Sequence, residues 1–427
     1  MMAGTGPETY WINLLGGSGN DYGYGVATDS SNNIIVCGYT NSDGAGSDDL
    51  LVAKYNSSGT LQWGKTLGGS SSDYGYAVAT DSFNNIIVCG FTRSDGAGGR
   101  DVLVAKYNSS GTLQWDKTLG GSSDDAGYGV AIDSSDNIIV CGYTYSSVDL
   151  LVAKYNSSGT LQWAKSLGGA VSDIGRAVAI DSSDNIIVCG YTQSDGAGDY
   201  DFLVAKYNSS GALQWDKTLG GSGTDYGYGV AIDSSDNIIV CGHTNSDGAG
   251  GYDLLVAKYN SSGTLQWEKT LGGSSDDRGY AVAIDSSDNI IVCGRTFSDG
   301  AGGYDFLVAK YNSSGTLQWD KTLGGSGTDY GYAVAIDSSD NIIVCGFTDS
   351  DGAGGDDLLV AKLPPDGTGD GTYGSLVYQD AVLTSADAAL TDAAAVLTNV
   401  SAGLTDAAAV LTDAPAVLTD EFFEITP

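Results

Sequence analysis

The chain has 427 residues, with 53 aspartates and glutamates against 18 lysines and arginines, and its formal net charge is −35 at pH 7. Such a charge repels nucleic acid phosphates and anionic lipid, so it excludes both as partners. Membrane insertion is not expected, because the chain lacks an apolar run of about 18 residues. The stretch from Met1 to Tyr10 lacks the basic and apolar segments of a signal peptide.

A long internal repeat organises most of the chain. Tryptophan recurs at intervals of 52 residues with one interval of 48, at Trp11, Trp63, Trp115, Trp163, Trp215, Trp267 and Trp319. Each unit contains four short apolar runs separated by turn residues. In the first unit these runs are Tyr24–Thr28, Asn33–Thr40, Leu50–Tyr55 and Thr60–Leu67. Four antiparallel strands in every unit of about 50 residues are typical of a β-propeller blade. The repeat therefore predicts an all-β, seven-bladed propeller over residues 10–363, after a leader at residues 1–9.

The two ends of the repeat region complement each other. The chain opens with Y-W-I-N-L-L-G-G, which matches the fourth-strand segment L-Q-W-x-K-T-L-G-G, whereas the last unit ends after its third strand. We therefore expect residues 10–15 to complete the last blade and close the ring, which leaves no unpaired blade to seed aggregation.

The segment G-V-A-I-D-S-S-D-N-I-I-V-C-G resembles the seven-bladed beta-propeller repeat of bacterial and archaeal surface proteins and, more distantly, the NHL repeat. The resemblance covers about residues 11 to 363. It implies a secreted or cell-surface protein without a defined catalytic site, because members of this family are usually of that kind.

Each unit also carries one cysteine in the same I-I-V-C-G context, at Cys37, Cys89, Cys141, Cys189, Cys241, Cys293 and Cys345. Equivalent strands of neighbouring sheets lie about 10 Å apart, which is too far for a disulfide. We predict buried, reduced thiols.

A Pro/Gly linker at residues 364–378 precedes a second repeat at residues 379–427. Leucine recurs there every seven residues, at Leu383, Leu390, Leu397, Leu404, Leu411 and Leu418. A period of seven suits the seam of a helix, whereas an odd period would change faces along a strand. We predict an alanine-rich helical tail that joins subunits into a homo-oligomer or filament. The alternative is a disordered solubilising tail.

One candidate binding element is the aspartate of the D-x-G-Y motif that opens the innermost strand of each blade. These residues are Asp21, Asp73, Asp125, Asp173, Asp225, Asp277 and Asp329. Six units follow with tyrosine, whereas the fourth has Arg176. A belt of such residues near one channel mouth could hold cations or stack sugars, so carbohydrate is a candidate partner. The alternative is that the aspartates cap turns.

A second candidate is the D-G-A-G-G-x-D loop, which places two carboxylates six residues apart around glycines. The paired aspartates are Asp43 and Asp49, Asp95 and Asp101, Asp195 and Asp201, Asp247 and Asp253, Asp299 and Asp305, and Asp351 and Asp357. Such loops resemble those that wrap Ca²⁺, which is therefore the one candidate cofactor; otherwise none is expected. The alternative is a plain glycine turn.

N-x-S sequences on the hairpin between the third and fourth strands are candidate N-glycosylation sites. They are Asn56, Asn108, Asn156, Asn208, Asn260 and Asn312, and Asn399 adds one in the tail. Asn-Ser-Ser-Gly is also good turn chemistry, so a purely structural role is the alternative.

Catalysis is not expected, since the near-identical units supply no asymmetric constellation and the single histidine, His243, replaces an aromatic or arginine side chain of other units. The sequence favours a non-catalytic structural or adhesive protein, extracellular or on a cell surface, that self-assembles through its tail. The alternatives are a lectin-like propeller with several equivalent sugar sites, a virion appendage, and an enzyme that uses one channel mouth.

Overall fold

The computed structural model describes residues 9–145, 148–395, 397–401, 405–408, 412–415 and 418–425. They form seven antiparallel sheets of five or six strands each. The innermost strand of every sheet contacts the innermost strands of both neighbouring sheets, so the sheets are the blades of a closed ring around a central channel. The prediction of an all-β, seven-bladed propeller is confirmed.

Each blade has four strands from the repeat region, running from the channel outwards. Blade 1 has β2 Asp21–Thr28, β3 Ile34–Thr40, β4 Asp49–Tyr55 and β5 Leu61–Gly68. Blade 2 has β6 Asp73–Thr80, β7 Ile86–Thr92, β8 Asp101–Tyr107 and β9 Leu113–Gly120. Blade 3 has β10 Asp125–Ile132, β11 Ile138–Thr144, β12 Asp149–Tyr155 and β13 Leu161–Gly168. Blade 4 has β14 Asp173–Ile180, β15 Ile186–Thr192, β16 Asp201–Tyr207 and β17 Leu213–Gly220.

The remaining three blades repeat this order, and the last one takes its outer strand from the N-terminus. Blade 5 has β18 Asp225–Ile232, β19 Ile238–Thr244, β20 Asp253–Tyr259 and β21 Leu265–Gly272. Blade 6 has β22 Asp277–Ile284, β23 Ile290–Thr296, β24 Asp305–Tyr311 and β25 Leu317–Gly324. Blade 7 has β26 Asp329–Ile336, β27 Ile342–Thr348, β28 Asp357–Leu363 and β1 Tyr10–Gly16.

The ring closes as the sequence predicts. Strand β1 pairs antiparallel with β28, and the register runs from Trp11 opposite Lys362 to Leu15 opposite Leu358. Main-chain hydrogen bonds between the two ends of the repeat region therefore complete blade 7.

The tail is not helical in the described residues, and the prediction of an alanine-rich helix is wrong. It forms β29 Gly371–Tyr373, β30 Leu376–Asp380, β31 Thr384–Asp387, β32 Thr391–Ala394, β33 Thr398–Ser401, β34 Thr405–Ala408, β35 Thr412–Pro415 and β36 Thr419–Ile425. Strands β30 to β36 pair in turn with the outer strands of blades 6, 5, 4, 3, 2, 1 and 7. The tail thus makes one circuit of the propeller and adds an outer strand to every blade.

The seven-residue period of the tail is the step from one blade to the next. Strand β31 begins at Thr384 and β32 begins seven residues later at Thr391, on the neighbouring blade. An odd period conflicts with a half-buried strand only if the strand is continuous. Strands β31 to β35 are each four residues long and the chain leaves the sheet between blades, so the alternation of faces starts afresh on each blade.

The hydrophobic core lies between blades rather than within one sheet. One cluster joins Leu50 and Val52 of blade 1 to Val88 and Leu103 of blade 2, and all four side chains are fully buried. The cysteines belong to these clusters, and all seven are buried free thiols, as predicted.

Two polar or aromatic contacts, repeated around the ring, fasten each blade to the next. The ring of Trp63 lies against Gly111 in the hairpin of the next blade, where a β-carbon would come within 2.8 Å of the indole and where φ is +80°. Lys54 Nζ lies 2.8 Å from Asp29 Oδ2 and also donates to the carbonyl of Ser109 in the next blade. A sequence that repeats these residues in every unit therefore also repeats the junction between units.

No helix among the described residues is long and apolar enough to cross a membrane.

Candidate binding site in the central channel

A β-bulge in each innermost strand supplies the side chains that line the channel. In blade 1, Gly23 pairs with Gly38 and Gly25 pairs with Cys37, which leaves Tyr24 without a residue opposite it. A bulge redirects the side chain of its extra residue. The bulge residues of the seven blades are Tyr24, Tyr76, Tyr128, Arg176, Tyr228, Tyr280 and Tyr332.

These seven side chains form a closed ring, called here the channel ring. Neighbouring tyrosines of the ring have centroids 4.9 to 5.3 Å apart. Arg176 fills the seventh position, with its guanidinium carbon 4.2 Å from the centroid of Tyr128 and 5.2 Å from that of Tyr228. The ring alone lines a cavity of about 170 Å³, and with the next two residues of each strand it lines another of about 210 Å³.

Arg176 is the only charged member of the channel ring. Its Nη2 donates to the hydroxyl of Tyr191 at 3.0 Å, and its Nε has no acceptor among the described residues. A guanidinium held mainly against aromatic faces keeps donors for an anion, because arginine presents five N–H groups in a planar fork.

More positive charge surrounds the aromatic lining of the channel on the side of blades 5 and 6. The guanidinium of Arg295 lies 4.0 Å from the centroid of Tyr330, and that of Arg278 lies 4.4 Å from Tyr252 and forms an ion pair with Asp276. Arg278 was not singled out from the sequence, although an arginine at a repeat position that is tyrosine in four blades is the signal that could have found it.

The single histidine lies within this region as a buried aromatic side chain. His243 is 1% exposed and stacks on Tyr228 with centroids 5.2 Å apart. Burial, followed by the charges of Arg278, Arg295 and Arg176, lowers the pKa of His243 well below its usual value. The imidazole is therefore neutral at pH 7 and belongs to the packing around the channel.

The predicted aspartate belt lies at the blade junctions, and these aspartates do not line the two channel cavities. Asp73 is fully buried and faces Asp49, the second aspartate of the preceding loop: a β-carbon on Gly68 would lie 1.9 Å from Asp49 Oδ1 and 2.9 Å from Asp73 Oδ2. The seven junction pairs are Asp357 with Asp21, Asp49 with Asp73, Asp101 with Asp125, Asp149 with Asp173, Asp201 with Asp225, Asp253 with Asp277, and Asp305 with Asp329. The structure thus joins two sets of residues that the sequence suggested for separate sites.

The loop aspartates also hold the backbone of their own loops. Asp95 Oδ1 accepts the N–H of Gly96 at 2.8 Å, and Asp101 Oδ2 accepts the N–H of Ala97 at 3.1 Å. In the described part of the chain, no group of three or more His, Cys, Asp or Glu side chains has the arrangement of a metal site. Calcium binding by these loops stays a prediction.

The candidate glycosylation asparagines of the blades lie on hairpins between the third and fourth strands, as predicted. Asn56 Oδ1 accepts the N–H groups of Ser58 and Thr60, at 3.1 and 2.9 Å, and so organises the turn. Asn399 lies on β33, and its side chain is outside the described part of the structure. Glycosylation at these positions stays a prediction.

The described leucines of the tail pack on the propeller of their own chain. A β-carbon on Gly221, the second glycine of an outer-strand G-G pair, would lie 3.5 Å from Leu390 Cδ2. The equivalent contacts join Leu383 to Gly273, Leu397 to Gly169 and Leu418 to Gly17. Leu404 and Leu411 are outside the described residues. Joining of subunits through these leucines stays a prediction, since one chain does not test it.

Two family models of propeller repeats match the chain. The model described as Beta-propeller repeat, SBBP, matches residues 11–44 and 214–248. The model described as a DUF5122 beta-propeller matches residues 30–61, 134–161, 182–213, 234–265 and 286–317. The matched segments recur in several blades, in agreement with the repeat seen in the structure.

Two curated proteins are similar over part of the chain. An uncharacterized WD repeat-containing protein of Acanthamoeba polyphaga mimivirus is 22% identical over 385 residues, which is 67% of this chain and 26% of that protein. The regulatory protein FlaEY of Caulobacter vibrioides is 28% identical over 142 residues, which is 28% of this chain and 15% of that protein. The chain therefore spans only a minor part of the length of these relatives.

Two solved structures are similar to the chain at low sequence identity. The polysaccharide lyase Uly1 is 10% identical with a TM-score of 0.50, over 81% of this chain and 90% of that one. A gluconolactonase from Xanthomonas campestris is 12% identical with a TM-score of 0.40, over 85% of this chain and 99% of that one. At 10% identity the likeness to the polysaccharide lyase shows the fold alone.

Proposed function

Because the chain is a β-propeller repeat protein, we propose that it is a non-catalytic structural and adhesive module of an extracellular or cell-surface assembly. The observation that carries the proposal is the double closure of the ring. Strand β1 completes blade 7, and the tail adds a strand to the outer edge of every blade. A ring fastened at both places resists local opening, because the outer strand of every blade is paired on both sides.

The side chains that catalysis would recruit are used here for packing and for blade junctions. Burial raises the pKa of the Cys89 thiol to about 12, so this group stays protonated at pH 7 and is a poor nucleophile. Asp29 is held by Lys54, and His243 is buried and neutral. These roles favour a structural protein over an enzyme.

The net charge of the chain suits a protein that is exposed to solvent and present at high local concentration. A formal charge of −35 keeps copies of the protein apart and soluble. Near-identical blades also present the same hairpins and loops several times around the ring, which suits multivalent adhesion.

Immunogold labelling of the source organism tests the location. Antibodies raised against the folded chain should label intact cells, and treatment of intact cells with protease should remove the label. Labelling that requires permeabilised cells would contradict the proposal.

Truncation tests the structural role of the tail. Ending the chain after Asp366 removes β29 to β36, exposes the outer edge of every blade and should lower the melting temperature by several degrees. Ending the chain after Ile425 keeps every strand and is the matched control. Equal melting temperatures for the two proteins would contradict the role of the tail.

A further inference from the structure

We propose that the channel ring binds the carboxylate of an acidic saccharide, with Arg176 pairing the carboxylate and the neighbouring tyrosines contacting the sugar. This inference goes beyond the proposed structural role, since it concerns a binding site and holds wherever the protein is located. It begins from the one break in the sevenfold symmetry of the channel ring.

The arginine stands at a position where the fold accepts tyrosine. The innermost strands of all seven blades have the same bulge, and six of them place tyrosine on it. Packing therefore does not require a charged side chain at residue 176. A cation in an aromatic lining costs free energy unless an anion or an aromatic face compensates it.

The surroundings of Arg176 leave that compensation incomplete. The described contacts of its guanidinium are the hydroxyl of Tyr191 and the faces of Tyr128, Tyr191 and Tyr228. No ion pair joins it to a carboxylate among the described residues, and its Nε lacks an acceptor. A planar carboxylate matches the donor fork of arginine with two parallel hydrogen bonds.

The rest of the channel ring suits a sugar attached to that carboxylate. Tyrosine offers an apolar face for the C–H groups of a sugar ring and a hydroxyl that donates or accepts a hydrogen bond. Six tyrosines line the cavity of about 170 Å³ with Arg176, so a ligand that pairs with the arginine also touches aromatic side chains.

The charge of the whole chain does not prevent such binding. Aspartates give the protein a formal charge of −35, but in 0.15 M salt their field is screened beyond about 8 Å. Within that distance the arginines near the channel act together: the charges of Arg176, Arg278 and Arg295 all contribute to lowering the pKa of His243.

Calorimetric titration of the full chain at pH 7 in 0.15 M NaCl tests the proposal with three probes. Glucuronate carries both groups, acetate carries the carboxylate alone and glucose carries the sugar alone. We expect glucuronate to bind at least about tenfold more tightly than either of the others, because glucose lacks the charge-assisted hydrogen bonds to Arg176 and acetate lacks the contacts of the sugar with the tyrosines.

Arg176→Tyr restores the tyrosine of the other blades and should keep the fold while weakening glucuronate binding at least about tenfold. Arg93→Tyr removes the same charge from an exposed loop and is the matched control, which should bind like the wild type. Arg176→Lys keeps the charge without the planar fork and should bind with intermediate affinity.

The proposal is overturned if glucuronate does not bind the wild type, or if Arg176→Tyr binds it as tightly as Arg93→Tyr does. Equal affinities for acetate and glucuronate would overturn the saccharide assignment. Failure of the immunogold labelling test would leave these binding results unaffected, so the two proposals can be contradicted separately.

Discussion

Asp305 and Asp329, from neighbouring blades, face the same glycine: a β-carbon on Gly324 would lie 2.0 Å from Asp305 Oδ1 and 2.8 Å from Asp329 Oδ2. Both aspartates are at most 1% exposed, and Asp305 Oδ1 has no hydrogen-bonding partner among the described residues. Burial, together with the charge of Asp329, raises the pKa of Asp305 to about 7. Two adjacent buried carboxylates resist ionising together, so such a pair retains a proton.

The junction pairs predict a protein that is more stable in mild acid than at neutral pH. Burial and a neighbouring aspartate also raise the pKa of Asp253 and of Asp357 to about 6. Between the unfolded pKa near 3.8 and these folded values, the three carboxyls bind more protons in the native state than in the unfolded state, so their contribution to stability falls as pH rises. One pKa unit corresponds to about 1.4 kcal/mol, so the expected loss between pH 5 and pH 8 is several kcal/mol.

Urea unfolding at pH 5 and at pH 8 measures this loss. Asp305→Asn keeps the shape of one junction and removes its titration, so it should reduce the difference between the two pH values. The same difference between the two pH values in the wild type and in Asp305→Asn would show that this junction pair does not retain a proton.

The junction glycines should not tolerate alanine. Gly68→Ala places a methyl group 1.9 Å from Asp49 Oδ1 in a closed junction, and overpacking of this kind costs about 1–3 kcal/mol. Gly64→Ala is the control on the same strand, because blade 3 has Ala164 at the equivalent position. Chemical denaturation should show a loss for the first variant only; equal stabilities would mean that the junction can open to accept a side chain.

The buried lysine of each blade should be essential while its aspartate is present. Lys54→Met leaves Asp29 buried without its cation, which typically costs about 3–5 kcal/mol. Adding Asp29→Asn should recover part of this loss, since no buried charge then remains. Urea unfolding of the single and double variants measures both values, and a double variant no more stable than the single one would contradict the ion-pair explanation.

The same ion pairs set the acid limit of stability. Although burial opposes it, the hydrogen bonds from Lys54 and Asn33 lower the pKa of Asp29. A lowered folded pKa contributes stability above pH 3.8 that is lost as pH falls through the folded value. The wild type should therefore be most stable above the pH at which Asp29 becomes protonated and below the pH at which the junction carboxyls ionise. Lys54→Met should show a weaker dependence of its stability on pH below 4.

The blade architecture was predictable from sequence because spacing alone defines it. Recurrence of Trp11 and its equivalents marks the fourth strand of each blade, and the ends of the repeat region show how the ring closes. The tail was not predictable in this way, because a seven-residue period arises both from a helix and from a chain that steps between blades. Its strands, such as Thr391–Ala394, are rich in alanine, and pairing with an existing blade edge overrides that low β-propensity.

The candidate site was predictable only in part. The sequence located Arg176 and the tyrosines beside the channel, because the D-x-G-Y motif opens the innermost strand. It did not reveal that a bulge directs Tyr24 into the channel, or that Asp21 lies across a junction from Asp357. Those relationships depend on the register of two strands and on contacts between residues of different blades.

A disulfide between the tail and its own propeller tests most directly that the tail encircles the ring. Lys269 on β21 lies opposite Asp387 on β31, and their side chains form an ion pair. Cα atoms of opposed antiparallel residues are about 4.5–5.5 Å apart, within the span of a disulfide. Lys269→Cys with Asp387→Cys should form an intramolecular disulfide on mild oxidation, seen as a linked peptide from monomeric protein by mass spectrometry. Lys217→Cys with Asp387→Cys joins the wrong blade and should remain unlinked. A covalent dimer, or no disulfide in the matched pair, would contradict the encircling tail.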